Sequence, residues 1–140
     1  MLWRLKFMEG KEMIPKFRAW DKEDESWIDI KSLGMMEGEI TILEEWDDDL
    51  PYFIEDLGKT WELIQSTGLH DKNGKEIFEG DILKSPYGFI GKVNIVEGAW
   101  YVQHSDFTNN HFLYVAQGKS VIIGNIHEHS HLLDNGGHRE

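Results

Sequence analysis

The chain has 140 residues, no cysteine and a formal net charge of −12. Without cysteine it forms no disulfide, thiol nucleophile or cysteine-ligated metal centre. Its 26 acidic residues outnumber 14 basic ones, which opposes binding to a phosphate backbone, so nucleic acid is not the expected partner. No apolar run reaches the roughly 18 residues of a membrane span. These properties predict a cytoplasmic protein that does not contact a membrane.

The first twelve residues differ from the rest of the chain. Met13 opens a stretch, MIPKFRAWD, that is typical of a native beginning, and the codons for residues 9–12 are necessarily purine-rich, like a ribosome-binding site. We therefore predict that translation starts at Met13 and that residues 1–12 are a mis-called leader. The alternative is a genuine N-terminal strand, because residues 2–7 show some alternation of apolar and polar side chains.

Residues 13–58 are predicted to form a β-rich N-terminal segment. Residues 16–30 have the pattern of a hairpin, with a polar turn at 21–25, and residues 39–43 are a β-branched, alternating strand. Pro51 follows an Asp triplet and suits the first turn of a short helix, which Gly58 would close.

The same segment contains a concentrated negative charge. No basic residue occurs between Lys31 and Lys59, and residues 37–56 hold nine acids, interleaved with Trp46, Tyr52 and Phe53. The aromatic side chains argue against a disordered acidic tract. The five carboxylates that we single out as interaction candidates are Glu44, Glu45, Asp47, Asp48 and Asp49.

Residues 59–127 are predicted to form a small SH3-like β-barrel, followed by a tail at 128–140. This region opens with a strand at 61–65 and a turn at 71–75, built on Asn73-Gly74. Five short strands then follow, separated by Gly, Pro, Ser or Asn, at 77–84, 89–96, 99–104, 112–115 and 121–126. The predicted fold class is therefore mainly β: a small SH3-like barrel in the C-terminal half with an N-terminal β-rich (α+β) segment.

Three alternating histidines, His127, His129 and His131, are weak candidates for metal ligands. On a strand all three would point to one face, where imidazoles can bind Zn²⁺ or Ni²⁺. If the last strand ends at Ile126, they lie instead on a solvated tail, and we favour that interpretation. No metal and no cofactor is therefore expected.

No catalytic motif is present: the chain lacks a nucleophile elbow, a zinc-protease motif, a phosphate-binding loop and a dinucleotide fingerprint. Asp81 and His70 are better explained by turn hydrogen bonding and strand entry than by chemistry. We expect a protein that is not an enzyme.

Three blocks of sequence resemble the YopX-like proteins of phages and prophages. They are residues 16–21 (KFRAWD), 65–82 (QSTGLHDKNGKEIFEGDI) and 121–126 (VIIGNI), and their order and spacing agree from Met13 to about Leu133. Ser66 departs from the pattern, since the family usually has an aromatic residue there. The resemblance implies a β-rich fold with a barrel-like C-terminal part, a phage or prophage origin and self-association, and it implies no catalytic residue.

We predict that the chain is a non-enzymatic accessory protein that contacts an unknown host or phage protein. One alternative is a nucleic-acid-binding barrel with a basic groove formed by Lys75, Lys84 and Lys92. Another is an acidic DNA mimic, in which residues 37–56 present carboxylates to a host protein as DNA presents phosphates. An enzyme with an unrecognised, metal-dependent site is the remaining alternative.

Overall fold

The computed structural model describes residues 16–48, 50–104 and 110–136. Its strands are β1 (Phe17–Asp21), β2 (Ser26–Ile28), β3 (Ile30–Met36), β4 (Glu39–Glu45), β5 (Tyr52–Phe53), β6 (Trp61–His70), β7 (Glu76–Phe78), β8 (Asp81–Lys84), β9 (Ile90–Val96), β10 (Ala99–His104), β11 (His111–Phe112) and β12 (Val121–Asn125). A 3₁₀ helix spans Ile54–Asp56, and two short helices are α1 (Leu113–Ala116) and α2 (His131–Gly136). The prediction of a mainly β fold is confirmed.

The strands form three antiparallel sheets. The first has the order β2-β1-β6-β7, the second β3-β4-β5, and the third β11-β10-β9-β8-β12. The third sheet curls into half a barrel. The predicted hairpin at 16–30 is confirmed, since Ala19 of β1 lies opposite Ile28 of β2.

The long strand β6 contributes to two hydrophobic clusters. The N-terminal cluster contains the buried residues Ala19, Ile28, Leu43 and Trp61. The half-barrel cluster contains the buried residues Ile77, Leu83, Val93, Val102, Leu113 and Ala116. Strand β6 supplies Trp61 and Leu63 to the first cluster and Leu69 to the second. It also pairs with β1 on one edge and with β7 on the other, so the segments 13–58 and 59–127 share a sheet.

Two predicted strands differ from the structure. The stretch at 77–84 is divided into β7 and β8, because Gly80 turns the chain at a φ of 86°. The predicted strand at 112–115 is wrong: the chain forms α1, where Leu113 and Ala116 are both buried. Residues three apart lie on one side of a helical turn, so the helix buries this pair where a strand would separate them.

Several turns follow their sequence signals. Gly74 has a φ of 81°, a left-handed conformation that glycine adopts without the steric cost of a side chain. A short helical turn lies between Pro51 and Gly58, as predicted, although it is a 3₁₀ helix. The proposed leader, residues 1–12, and Met13 lie outside the described residues. No helix in the described ranges has the length and apolar character needed to cross a membrane.

Candidate functional site

A cleft of about 570 Å³ lies between the first sheet and the half-barrel. Strand β1 contributes Arg18, the turn before β7 contributes Lys75, and β7 contributes Phe78. The opposite wall is the edge strand β12, from Ile122 to Asn125. These elements belong to the three sequence blocks that carry the family resemblance, so blocks far apart in the chain meet at one cleft.

Asp71 holds one end of this arrangement together. Its buried carboxylate accepts hydrogen bonds from the amides of Asn73 and Lys75, both at 2.9 Å, and from the amide of Ile122 at 3.1 Å. Burial alone would raise the pKa of Asp71, but these backbone donors outweigh it and lower the pKa overall. The carboxylate therefore ties the Asn73-Gly74 turn to strand β12 and positions Lys75 beside the cleft.

Arg18 is held between two aromatic rings. Its guanidinium carbon lies 3.8 Å from the centroid of Trp27 and 5.1 Å from that of Phe78. Cation–π attraction and the flat rings fix the plane of the guanidinium. Among residues 16–48, 50–104 and 110–136, none accepts a hydrogen bond from the Arg18 side chain and none forms an ion pair with it.

The carboxylates that line the cleft are engaged by protein donors. Glu128 accepts from the Trp27 indole at 3.1 Å and from the Asn125 amide at 2.9 Å, and these bonds lower its pKa. Glu76 accepts from the Ser66 hydroxyl and, at 3.2 Å, from Lys16; the Ser66 bond is the main reason that its pKa is lowered.

Asp81, at the base of the cleft, is the third carboxylate and the most deeply buried. It accepts a hydrogen bond from the Phe78 amide at 2.8 Å. Burial raises the pKa of Asp81 to about 6, although the Phe78 amide and the charges of Arg18 and Lys75 oppose that shift. Its turn hydrogen bond is the role that the sequence predicted.

An aromatic cluster connects the hairpin of β1 and β2 with the turn after β12. Trp20 and Trp27 meet edge to face with centroids 4.8 Å apart, and the His127 ring lies 5.5 Å from Trp20 and 5.8 Å from Trp27. Burial lowers the pKa of His127. The cluster joins the N-terminal hairpin to the turn after β12, so the first and last parts of the fold support each other.

The candidate metal histidines are not brought together on one strand face. Strand β12 ends at Asn125, so His127 and His129 lie in the following turn and His131 begins α2. His127 packs against the two tryptophans, whereas His129 accepts a hydrogen bond from the Asn125 amide at 3.2 Å. Within the described part of the chain, no group of three or more His, Asp or Glu side chains is placed to hold a metal ion.

The second sheet presents a different kind of surface. Leu33, Leu43 and Tyr52 face the N-terminal cluster, so the opposite side of the sheet is its outer face. Cross-strand partners share a face, and Ile42 lies opposite Phe53 while Met35 lies opposite Ile40. We call Met35, Ile40, Ile42 and Phe53 the outer strip. A bulge between Gly34 and Met35 directs Met35 to this side.

The outer strip is exposed at Met35 and Phe53 and partly exposed at Ile40 and Ile42. Met35 is 63% exposed and Phe53 is 48% exposed. Gly34 lies opposite Ile42, and a Cβ at this glycine would lie 2.5 Å from the Ile42 Cγ2 atom. The missing side chain leaves Ile42 room to lie along the strip.

The candidate carboxylates surround the end of β4 rather than forming a single row. Glu44 lies on the outer face, where its carboxylate accepts from the Ser32 hydroxyl at 2.6 Å. Glu45 lies on the inner face, 3.4 Å from the Tyr52 hydroxyl. Asp47 and Asp48 are exposed in the turn that follows, whereas Asp49 lies outside the described residues.

The three lysines of the predicted basic groove occupy two places. Lys75 lines the cleft. Lys84 and Lys92 lie on one face of the half-barrel, because Ile82 is opposite Lys92 and two residues from Lys84.

The fold and the cleft define a class of small, acidic, mainly β protein in which a half-barrel packs beside the first sheet. The chain matches the family described as YopX protein over residues 16–134, and it belongs to that family. It is also similar to the crystal structure of protein EF1440 from Enterococcus faecalis, with 26% identity and a TM-score of 0.59, over 87% of this chain and 99% of that one. No curated protein matches it.

Sequence reasoning missed the Arg18–Trp27 contact and the outer strip. Arg18 and Trp27 are diagonal neighbours in the hairpin, since Trp20 lies opposite Trp27 in the register of β1 and β2. The hairpin was predicted, and its register would have indicated the contact. The outer strip depends on the bulge at Met35, for which the sequence shows no signal other than Gly34.

Proposed function

We propose that this YopX-family protein is a phage or prophage accessory protein that acts without catalysis, in the host cytoplasm, by binding another protein. The outer strip of the second sheet carries this proposal. Four apolar side chains stand together on a face turned away from the core, and exposed apolar patches of this kind mark protein-binding surfaces. We propose in addition that the half-barrel is SH3-like, since SH3-like barrels often serve as binding modules.

Charge selects the kind of partner. The strip lies within residues 32–58, which contain no basic residue, and Glu44 stands on the same face. A second copy docked through this face would bring like charges together, whereas a partner with Lys and Arg around an apolar centre would be attracted. The proposed partner is therefore a basic protein of the host or the phage.

The test compares three baits in affinity capture from infected or induced host cells. They are the wild type, a strip variant (Met35→Ser with Phe53→Ser) and a control variant (Tyr87→Ser with Tyr114→Ser). Tyr87 and Tyr114 are 87% and 73% exposed and lie outside the second sheet, so the control removes two large exposed side chains elsewhere on the surface.

A captured protein is then purified and titrated into the ¹⁵N-labelled chain. We expect it to be basic, to shift amide resonances of β3, β4 and β5, and to be retained by the control variant but lost by the strip variant. Retention of every partner by the strip variant would refute the proposal. A dimer in light scattering that the strip variant converts to a monomer would instead make the face a self-association surface.

A further inference from the structure

The cleft contains cations whose side-chain donors are unused and carboxylates that each accept at least one hydrogen bond from the protein. Glu76 and Glu128 each accept two hydrogen bonds, and Asp81 accepts one, all from protein donors. The side chains of Arg18 and Lys75 donate to no residue within the described ranges. Guanidinium and ammonium groups are strong donors that pair readily with oxyanions.

Local charge also differs from that of the whole chain. Lys16 forms an ion pair with Glu76 at 3.2 Å, which leaves Arg18 and Lys75 against Glu128 and Asp81. Burial raises the pKa of Asp81 to about 6, so its carboxylate is still mostly ionised at pH 7 and offsets one of the two cations. In a protein with a net charge of −12, the cleft is thus close to electrically balanced and gathers the one arginine of the described residues.

The volume and the lining of the cleft suit a small organic ligand. The volume of about 570 Å³ lies within the roughly 300–1,000 Å³ of typical ligand pockets. Phe78, Ile122 and Ile123 supply apolar wall beside the two cations. Because Trp27 and Phe78 already orient the guanidinium of Arg18, a carboxylate or phosphate oxygen would find its donors preorganised.

We infer that the cleft is a binding site for a small molecule that carries a carboxylate or a phosphate, with Arg18 and Lys75 as its anion-binding residues. This site is separate from the outer strip, and its ligand need not take part in binding a protein. The apolar wall would receive the uncharged part of the molecule.

The experiment titrates benzoate, phenyl phosphate and neutral benzamide into the ¹⁵N-labelled full chain. The readouts are the Arg18 Nε–H resonance and the amides of residues 122–125. We expect saturable shifts with benzoate, phenyl phosphate or both, and the stronger of the two identifies the oxyanion. Loss of one charge-assisted hydrogen bond should weaken binding about tenfold or more in Arg18→Gln and in Lys75→Gln.

Three comparisons decide the outcome: a control lysine, a second variant of the site and the neutral ligand. Lys84→Gln removes the same charge from a lysine outside the cleft and should bind as the wild type does. Lys75 is exposed, so Lys75→Gln tests the site even where Arg18→Gln disturbs the hairpin. Absence of saturable shifts, equal affinity in Lys75→Gln and wild type, or benzamide binding as tightly as benzoate would each overturn the inference.

Discussion

The N-terminal cluster and the half-barrel cluster are built differently, although β6 contributes to both. The half-barrel cluster is aliphatic, and five of its members, including Leu83 and Val93, are almost fully buried side chains of similar size. The N-terminal cluster depends on one large side chain, Trp61, whose indole donates to the Phe53 carbonyl at 3.0 Å. The half-barrel thus distributes its stabilisation, whereas the N-terminal part concentrates it.

Hydrogen-bonded polar groups beside the N-terminal cluster add to this difference between the two clusters. Beside the N-terminal cluster, the buried carboxylate of Asp21 accepts from the Tyr52 hydroxyl at 2.7 Å and from two amides of its own turn. Burial raises the pKa of Tyr52, and its bond to Asp21 adds to the shift. The sheet that carries the outer strip is therefore fixed to the core by the packing of Leu33 and Leu43, by the Trp61 indole and by the hydrogen-bonded phenol of Tyr52.

The largest predicted effect removes the centre of the concentrated cluster. Trp61→Ala should destabilise the chain by about 3–5 kcal/mol, since it opens a cavity and leaves the Phe53 carbonyl without its donor. Leu83→Ala in the half-barrel, the matched change, should cost less because its aliphatic neighbours can close around the space. Urea unfolding followed by tryptophan fluorescence and far-UV circular dichroism measures both. A smaller loss in Trp61→Ala than in Leu83→Ala would reverse the comparison.

Burial of Asp81 makes the stability of the folded chain depend on pH. The pKa of Asp81 is about 6 in the folded chain against 3.8 as the ordinary value, so the folded state holds the proton more tightly. The stability that this group contributes is present below its unfolded pKa and is lost as the pH rises through about 6. The two-unit difference corresponds to at most roughly 3 kcal/mol.

Asp81→Asn should remove this loss. The amide oxygen can still accept from the Phe78 amide, so the variant should be more stable than the wild type at pH 7.5 and similar to it at pH 4.5. His127 changes stability in the opposite direction, because its lowered pKa makes protonation below pH 6.5 unfavourable, but this term is common to both proteins. The exposed change Asp29→Asn is the control. Equal pH profiles for wild type and Asp81→Asn would contradict the assignment.

A substitution at Gly74 measures the cost of backbone conformation separately from the cost of side-chain packing. No atom lies within 4 Å of a Cβ placed there, so the cost of Gly74→Val comes from its φ of 81° alone. We expect a loss of roughly 1–3 kcal/mol. Lys72→Val, an exposed change in the same turn, is the matched control. An unchanged melting temperature for Gly74→Val would show that the turn tolerates a side chain.

Local signals account for the parts of the fold that the sequence predicted. Asn73-Gly74 and the polar stretch at 21–25 specify reversals within a few residues, so the turn and the hairpin were correct. The run at 112–115 is apolar throughout and has no period that separates helix from strand, and tertiary burial of Leu113 and Ala116 decided it. The cleft could not be predicted, because it depends on β7 and β12 lying on the edges of two different sheets.

Neutralising the five candidate carboxylates should have the smallest effect on stability and the greatest effect on binding of a partner. The variant replaces Glu44, Glu45, Asp47, Asp48 and Asp49 with Gln or Asn. The described members are exposed except for Glu45, so each replacement should alter stability by no more than about 0.5 kcal/mol, measured by urea unfolding. The control neutralises Glu23, Asp24 and Glu25 in the turn between β1 and β2.

The same variant separates charge from apolar contact. A DNA mimic needs carboxylates in a fixed array, whereas Glu44 and Glu45 project from opposite faces of β4 and Asp47 and Asp48 lie in a turn. If charge attracts a basic partner to the outer strip, the variant should weaken capture at low salt and match the wild type at high salt, where charges are screened. Mimicry predicts that capture is abolished at every salt concentration at which the wild type binds. Capture that is unchanged at low salt would show that the acidic segment contributes to neither, and the outer strip alone would then have to select the partner.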